Sequence, residues 1–132
     1  MSYTLIDHTG DLGIEVRAPT LEGVFAEAAR ALFEILAEAP DPGPLRREEI
    51  PLPAGPPDAA LREFLADLLY RFCAERRMYV AFEAGTGTIR ALSGAFDPAR
   101  HRPRTEIKAV TWHGLEVARE GDGWKARVIF DV

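Results

Sequence analysis

The sequence predicts an α+β domain in which two amphipathic helices pack on a mainly antiparallel β-sheet. Two stretches repeat their apolar residues every three or four positions. Several others alternate apolar and polar residues, and glycine-containing turns join consecutive alternating stretches. At 132 residues with 47% hydrophobic content, the chain has the length for one domain, 1–132, with one continuous core.

Residues 3–7 and 12–17 read as two short strands; in the second, Leu12, Ile14 and Val16 alternate with Gly13, Glu15 and Arg17. Thr20 is placed to cap a helix whose stripe is Leu21, Val24, Phe25, Ala28, Leu32, Phe33 and Leu36, ending near residue 37. Its outer face would carry Glu22, Glu27, Arg30 and Glu34. Pro40, Pro42, Gly43 and Pro44 stop it. A strand over 46–52 is confined to a sheet edge, because Pro51 and Pro53 lack the N–H a central ladder needs. Asp58 would cap a second helix with the stripe Leu61, Phe64, Leu65, Leu68, Leu69, Phe72 and Cys73, which makes Cys73 a small buried hydrophobe. Residues 79–83 and 88–93 form a hairpin around Gly85-Thr86-Gly87. That Gly-x-Gly lacks the third glycine, the Lys-Ser/Thr pair and the following helix of a phosphate loop. A long strand over 107–117, with Gly114 as the place for a kink, a turn at 121–123 and a strand over 124–132 complete the sheet.

Composition narrows the function. The net charge of −5 repels nucleic acid, so no stable nucleic-acid binding by the chain alone is expected. The one concentrated basic run, Arg100-His101-Arg102-Pro103-Arg104, reads first as a solvated loop and second as a docking element for an acidic surface or a phosphate. One cysteine excludes an internal disulfide and a multi-cysteine metal site. No membrane association is expected, since no apolar run approaches spanning length, and the cytoplasm is the expected compartment.

Candidate chemistry lies at the two ends. His8, His101 and His113 do not share a helix-face ligand spacing, and neither Ser2 nor Ser93 lies in a nucleophile elbow. Asp7 and Asp11 flank a His-Thr-Gly turn. Such acids order a turn by accepting backbone N–H bonds, or offer oxygen to a hard cation such as Mg²⁺ or Ca²⁺. Asp131 shares a strand face with Arg127 and Ile129, opposite Val128 and Phe130. It reads as a solvated or arginine-paired acid, or as the second ligand of a shared metal site.

Three segments resemble the archease family. Asp7-His8-Thr9-Gly10-Asp11-Leu12-Gly13-Ile14 is similar to its N-terminal motif, usually written with Ala at the place of Gly10. Residues Phe96 to His101, followed by Thr105 to Val117, resemble its central signature, with Trp112 where Tyr is common. Gly123 to Val132 matches its ending, commonly Asp-Ile. The resemblance implies a small α+β, non-enzymatic protein that assists an RtcB-type RNA-splicing ligase. It would promote ligase guanylylation and multiple turnover. It also implies a divalent cation, Ca²⁺ first and Mg²⁺ or Mn²⁺ as alternatives. Asp11 and Asp131 would supply side-chain ligands and Val132 a backbone or terminal oxygen. Two other roles stand beside this one: a metal-dependent hydrolase, and a chaperone of another RNA-processing or modifying enzyme.

Overall fold

The computed structural model describes residues 1–8 and 10–132, the side chains of Asp7 and His8 excepted. Among the described residues it is an α+β fold with two helices, and every strand pairing is antiparallel. The first hairpin joins β1 (Ser2–His8) to β2 (Asp11–Ala18). Helix α1 (Leu21–Leu36) follows, with Thr20 as its N-cap: the Thr20 hydroxyl accepts the Gly23 N–H at 3.0 Å. After the short β3 (Ala37–Glu38) and β4 (Arg46–Pro51) comes α2 (Pro57–Cys73). Then come β5 (Arg77–Ala84), β6 (Thr88–Ala95), β7 (Arg102–Pro103), β8 (Ala109–Val110), β9 (Glu116–Glu120) and β10 (Gly123–Asp131).

The strands divide into sheets. In the largest, β1, β2, β10 and β8 lie in that order, with β9 also on β10; a second has the order β4-β6-β5. β4 is therefore an edge strand, as its prolines require. Helix α1 touches strands of both sheets and α2, and Val24, Ala28 and Leu32 are fully buried. Against it stand Ile14, Val16, Val128 and Phe130 from one sheet, Tyr79 and Ile89 from the other, and Phe64 and Leu65 from α2. Each large apolar side chain so buried contributes about 1.5–3 kcal/mol, which makes α1 the organising element of the core.

Four sequence expectations need correction. Glu27 is not on the outer face: it is 2% exposed, with both carboxylate oxygens held by Arg30 at 2.9 and 2.6 Å. Asp58 lies inside the first turn of α2, whose N-cap is Pro56; its side chain accepts the Ala59 N–H instead. Cys73 is exposed, because the last turn of α2 runs past the apolar stripe that ends at Leu69. The long strand expected over 107–117 is broken into β8 and β9 by a turn, in which the Thr111 hydroxyl accepts the His113 N–H at 3.2 Å and Gly114 takes φ +63°.

In the basic run Arg100, Arg102 and Arg104 are all exposed, but the backbone of its last residues is tied to α1. The Arg104 and Thr105 N–H groups donate to the Leu36 and Ile35 carbonyls at 2.9 and 3.1 Å, and the Arg104 guanidinium reaches the Glu34 carbonyl at 3.2 Å. These are carbonyls that the C-terminus of a helix leaves without partners, so this segment serves as the cap of α1. His101, 1% exposed, closes the preceding turn: its Nδ1 accepts the Asp97 N–H at 2.9 Å and its Nε2 meets the Pro42 carbonyl at 3.3 Å.

Candidate functional site

Topology brings the two ends of the motif pattern together. β10 runs antiparallel to β2, so the last residues of one meet the first residues of the other. In that register Asp131 lies directly opposite Asp11. The adjoining hydrogen bond runs from the Val132 N–H to the Gly10 carbonyl at 3.5 Å. Asp11 and Asp131 therefore occupy a non-hydrogen-bonded position, where facing Cα atoms approach to about 4.5 Å and side chains crowd. Gly10, at φ +76°, supplies the left-handed backbone next to this pair.

The rest of the outer sheet face explains why these acids stand apart. On β2, Glu15 and Arg17 face Arg127 and Lys125 of β10, and Arg17 pairs with Glu120 at 2.8 Å. Lys125 lies 3.8 Å from Glu116 and 4.0 Å from Glu120. That end of the face is a compensated charge ladder. Next comes an apolar step. Gly13 faces Ile129, whose Cδ1 would lie 2.7 Å from any Cβ at that glycine, and Ile129 is 4% exposed. Beyond it lie Asp11, half-buried, and Asp131, exposed. Among the described residues neither carboxylate has an ion-pair partner.

Two like charges directly across a strand pair are destabilising unless something of opposite sign sits between them. The donor set is all oxygen, which suits Ca²⁺, Mg²⁺ or Mn²⁺ rather than a soft metal. The described residues contain no cluster of three or more His, Cys, Asp or Glu side chains suited to a metal, so a cation here would draw further oxygens from the backbone, water or a partner. Val132, beside the pair and half-buried, is placed to offer a main-chain oxygen. Thr9, with the side chains of Asp7 and His8, lies outside the described residues, although the backbone of His8 is registered opposite Asp11. The histidines that the structure does describe do not converge: His101 is spent in its own turn and His113 is exposed in the β8–β9 connection.

Fold and site together define a small α+β protein with an acidic oxygen edge at one end of its largest sheet. The model of the Archease protein family (MTH1598/TM1083) matches residues 3–132. Curated archeases are similar over the same span. That of Methanosarcina mazei is 31% identical, covering 98% of this chain and 95% of its own, and that of Methanopyrus kandleri is 30% identical over 100% of both. The solution structure of Methanobacterium thermoautotrophicum protein 1598 superposes with a TM-score of 0.74 at 28% identity, covering 98% of each chain. The crystal structure of an archease from Thermotoga maritima, described as a possible chaperone, shares the fold with a TM-score of 0.69 at 22% identity over 96% of this chain and 94% of that one. The chain belongs to the archease family.

Proposed function

We propose that this protein is a non-catalytic activator of an RtcB-type RNA ligase, and that a divalent cation held by Asp11, Asp131 and Val132 forms part of the surface it presents. The observation that carries the reading is the direct opposition of Asp11 and Asp131 in the β2–β10 register, without a basic partner among the described residues. Membership of the family supports the ligase as partner.

When bound, the cation supplies positive charge and open coordination positions. The chain's own residues do the rest. The β-ladder fixes the spacing of the two carboxylates, Gly10 allows the tight approach from β1, and Ile129 over Gly13 separates the acids from the arginines farther along.

The test is multiple-turnover RNA ligation by the cognate ligase with GTP and Mn²⁺, with this protein at substoichiometric concentration. Sustained turnover is expected with the wild-type chain, and a return to the unassisted level with Asp11→Ala/Asp131→Ala. Full activation by the double variant would sink the role of the acids. No activation by the wild-type would sink the ligase reading and favour the chaperone role suggested for the Thermotoga relative, to be followed by capture of an RNA-modifying enzyme.

A further inference from the structure

We propose that Trp112 and Arg62 form the anchor through which this protein docks on the ligase, entering an apolar pocket bordered by carboxylates on the partner. The inference rests on the functional reading above and assigns that partner a second contact, apart from the acids.

Trp112 is 61% exposed. An indole is a large apolar body that a soluble surface ordinarily covers, and here it is held out by its surroundings. The Thr111 N–H and hydroxyl both donate to the Ile129 carbonyl, each at 3.0 Å. The Trp112 carbonyl accepts the Leu115 N–H at 3.4 Å, and Gly114 turns the chain back with φ +63°. From α2, the Arg62 guanidinium carbon lies 4.5 Å from the ring centroid, while its Nε donates to the Val110 carbonyl at 3.0 Å. The ring is therefore positioned before any partner arrives, which lowers the ordering cost of binding.

Charge and position identify the occupant. Arg62 has no carboxylate partner among the described residues, although the chain carries 21 acidic side chains. An unpaired guanidinium stacked on an exposed indole complements an apolar pocket with an acidic rim, and Trp and Arg are the residue types that dominate binding energy at protein interfaces. The position adjoins the acid edge. Ala109 is registered with Asp131, and Trp112 follows three residues along the chain in the turn that leaves β8. A surface wide enough to cover one reaches the other. Stacking on an RNA base is the competing use of such a ring, and the net charge of −5 opposes it.

The experiment measures ligase affinity and turnover for Trp112→Ala, Trp112→Phe and Arg62→Glu beside the wild-type. Trp112→Ala and Arg62→Glu are each expected to raise the Kd about tenfold or more, and Trp112→Phe to recover most of the loss. Turnover at saturating concentrations and the thermal shift produced by Ca²⁺ should match the wild-type, which shows that the acid edge and the fold are intact. Asp11→Ala/Asp131→Ala should behave in the opposite way, losing turnover even at saturation. A Kd within about twofold of wild-type for both Trp112→Ala and Arg62→Glu would overturn the anchor. So would loss of RNA retention by Trp112→Ala with unchanged ligase affinity, which would make the ring a base platform. If the wild-type itself neither binds nor activates the ligase, the functional reading fails first, and that result is separate from failure of the variants alone.

Discussion

Tyr3 shows how one side chain fastens a sheet edge to the central helix. Its hydroxyl donates to Glu34, and Arg30, locked to Glu27 and Glu34, lies with its guanidinium carbon 5.0 Å from the ring centroid. Burial first, and the bond and charge of Glu34 next, push the phenol up to about 12 from its ordinary 10.0. The folded state thus holds this proton more tightly than the unfolded chain does. The stability it provides is complete below the ordinary value and drains away as pH rises through about 12. An ultraviolet phenolate titration should show this wave displaced upward, and Tyr3→Phe should remove it while flattening the loss of stability between those two values. At Cys73, an exposed residue, partial desolvation of the thiol and the charge of Glu106 outweigh Arg76 and raise its pKa, so it is not primed as a nucleophile.

The paired acids belong to the scale of strands, because the β2–β10 register, rather than either residue, creates their opposition. Neutralising one of them should therefore stabilise the metal-free protein. In the presence of EDTA, Asp131→Asn is expected to raise stability by about 0.2–1 kcal/mol, the cost of like charges facing across a ladder. Saturating Ca²⁺ should reverse the order, raising the Tm of the wild-type and leaving Asp131→Asn nearly unmoved. Thermal melts with and without the ion check both signs; equal Ca²⁺ shifts in the two proteins would remove these acids from any cation site. The sequence carried part of this pair. The terminal acids could be named from their apolar settings, and the Thr20 cap and the stripe of α1 from spacing alone. The facing of Asp11 and Asp131 could not, because a register between distant strands is set by tertiary packing. For the same reason, the bonds by which Arg104 and Thr105 cap α1 could not be read from the solvated run Arg100 to Arg104. The interruption of the strand over 107–117 was legible at Gly114, but its start at Thr111 was not, because a side-chain hydroxyl rather than a proline turns the chain there.

At the scale of the whole molecule, α1 is packed by strands of both sheets, which explains why almost its entire circumference is apolar and its exposed residues are Arg30 and Glu34. The amphipathic pattern of an ordinary surface helix would leave a wider polar stripe. No helix is long and apolar enough to cross a membrane among the described residues.

The placement of β10 has a consequence for how the protein comes into being. It is the last in chain order of the described strands, yet it lies between β2 on one side and β8 and β9 on the other. Until it emerges, β2 has an open edge, β8 and β9 have no partner in that sheet, and the buried positions of Val128 and Phe130 are unfilled. The nascent chain can form helices and local hairpins, but the largest sheet must await synthesis of β10. A force-sensing arrest sequence appended at successive lengths should therefore register little pulling until β10 clears the exit tunnel, then a single sharp peak. Release of force before β10 has been made would mean that the core closes without its central strand. Synthesis thus leaves a late window in which the unpaired strand edges are open to other chains, and the same final segment that closes it places Asp131 opposite Asp11.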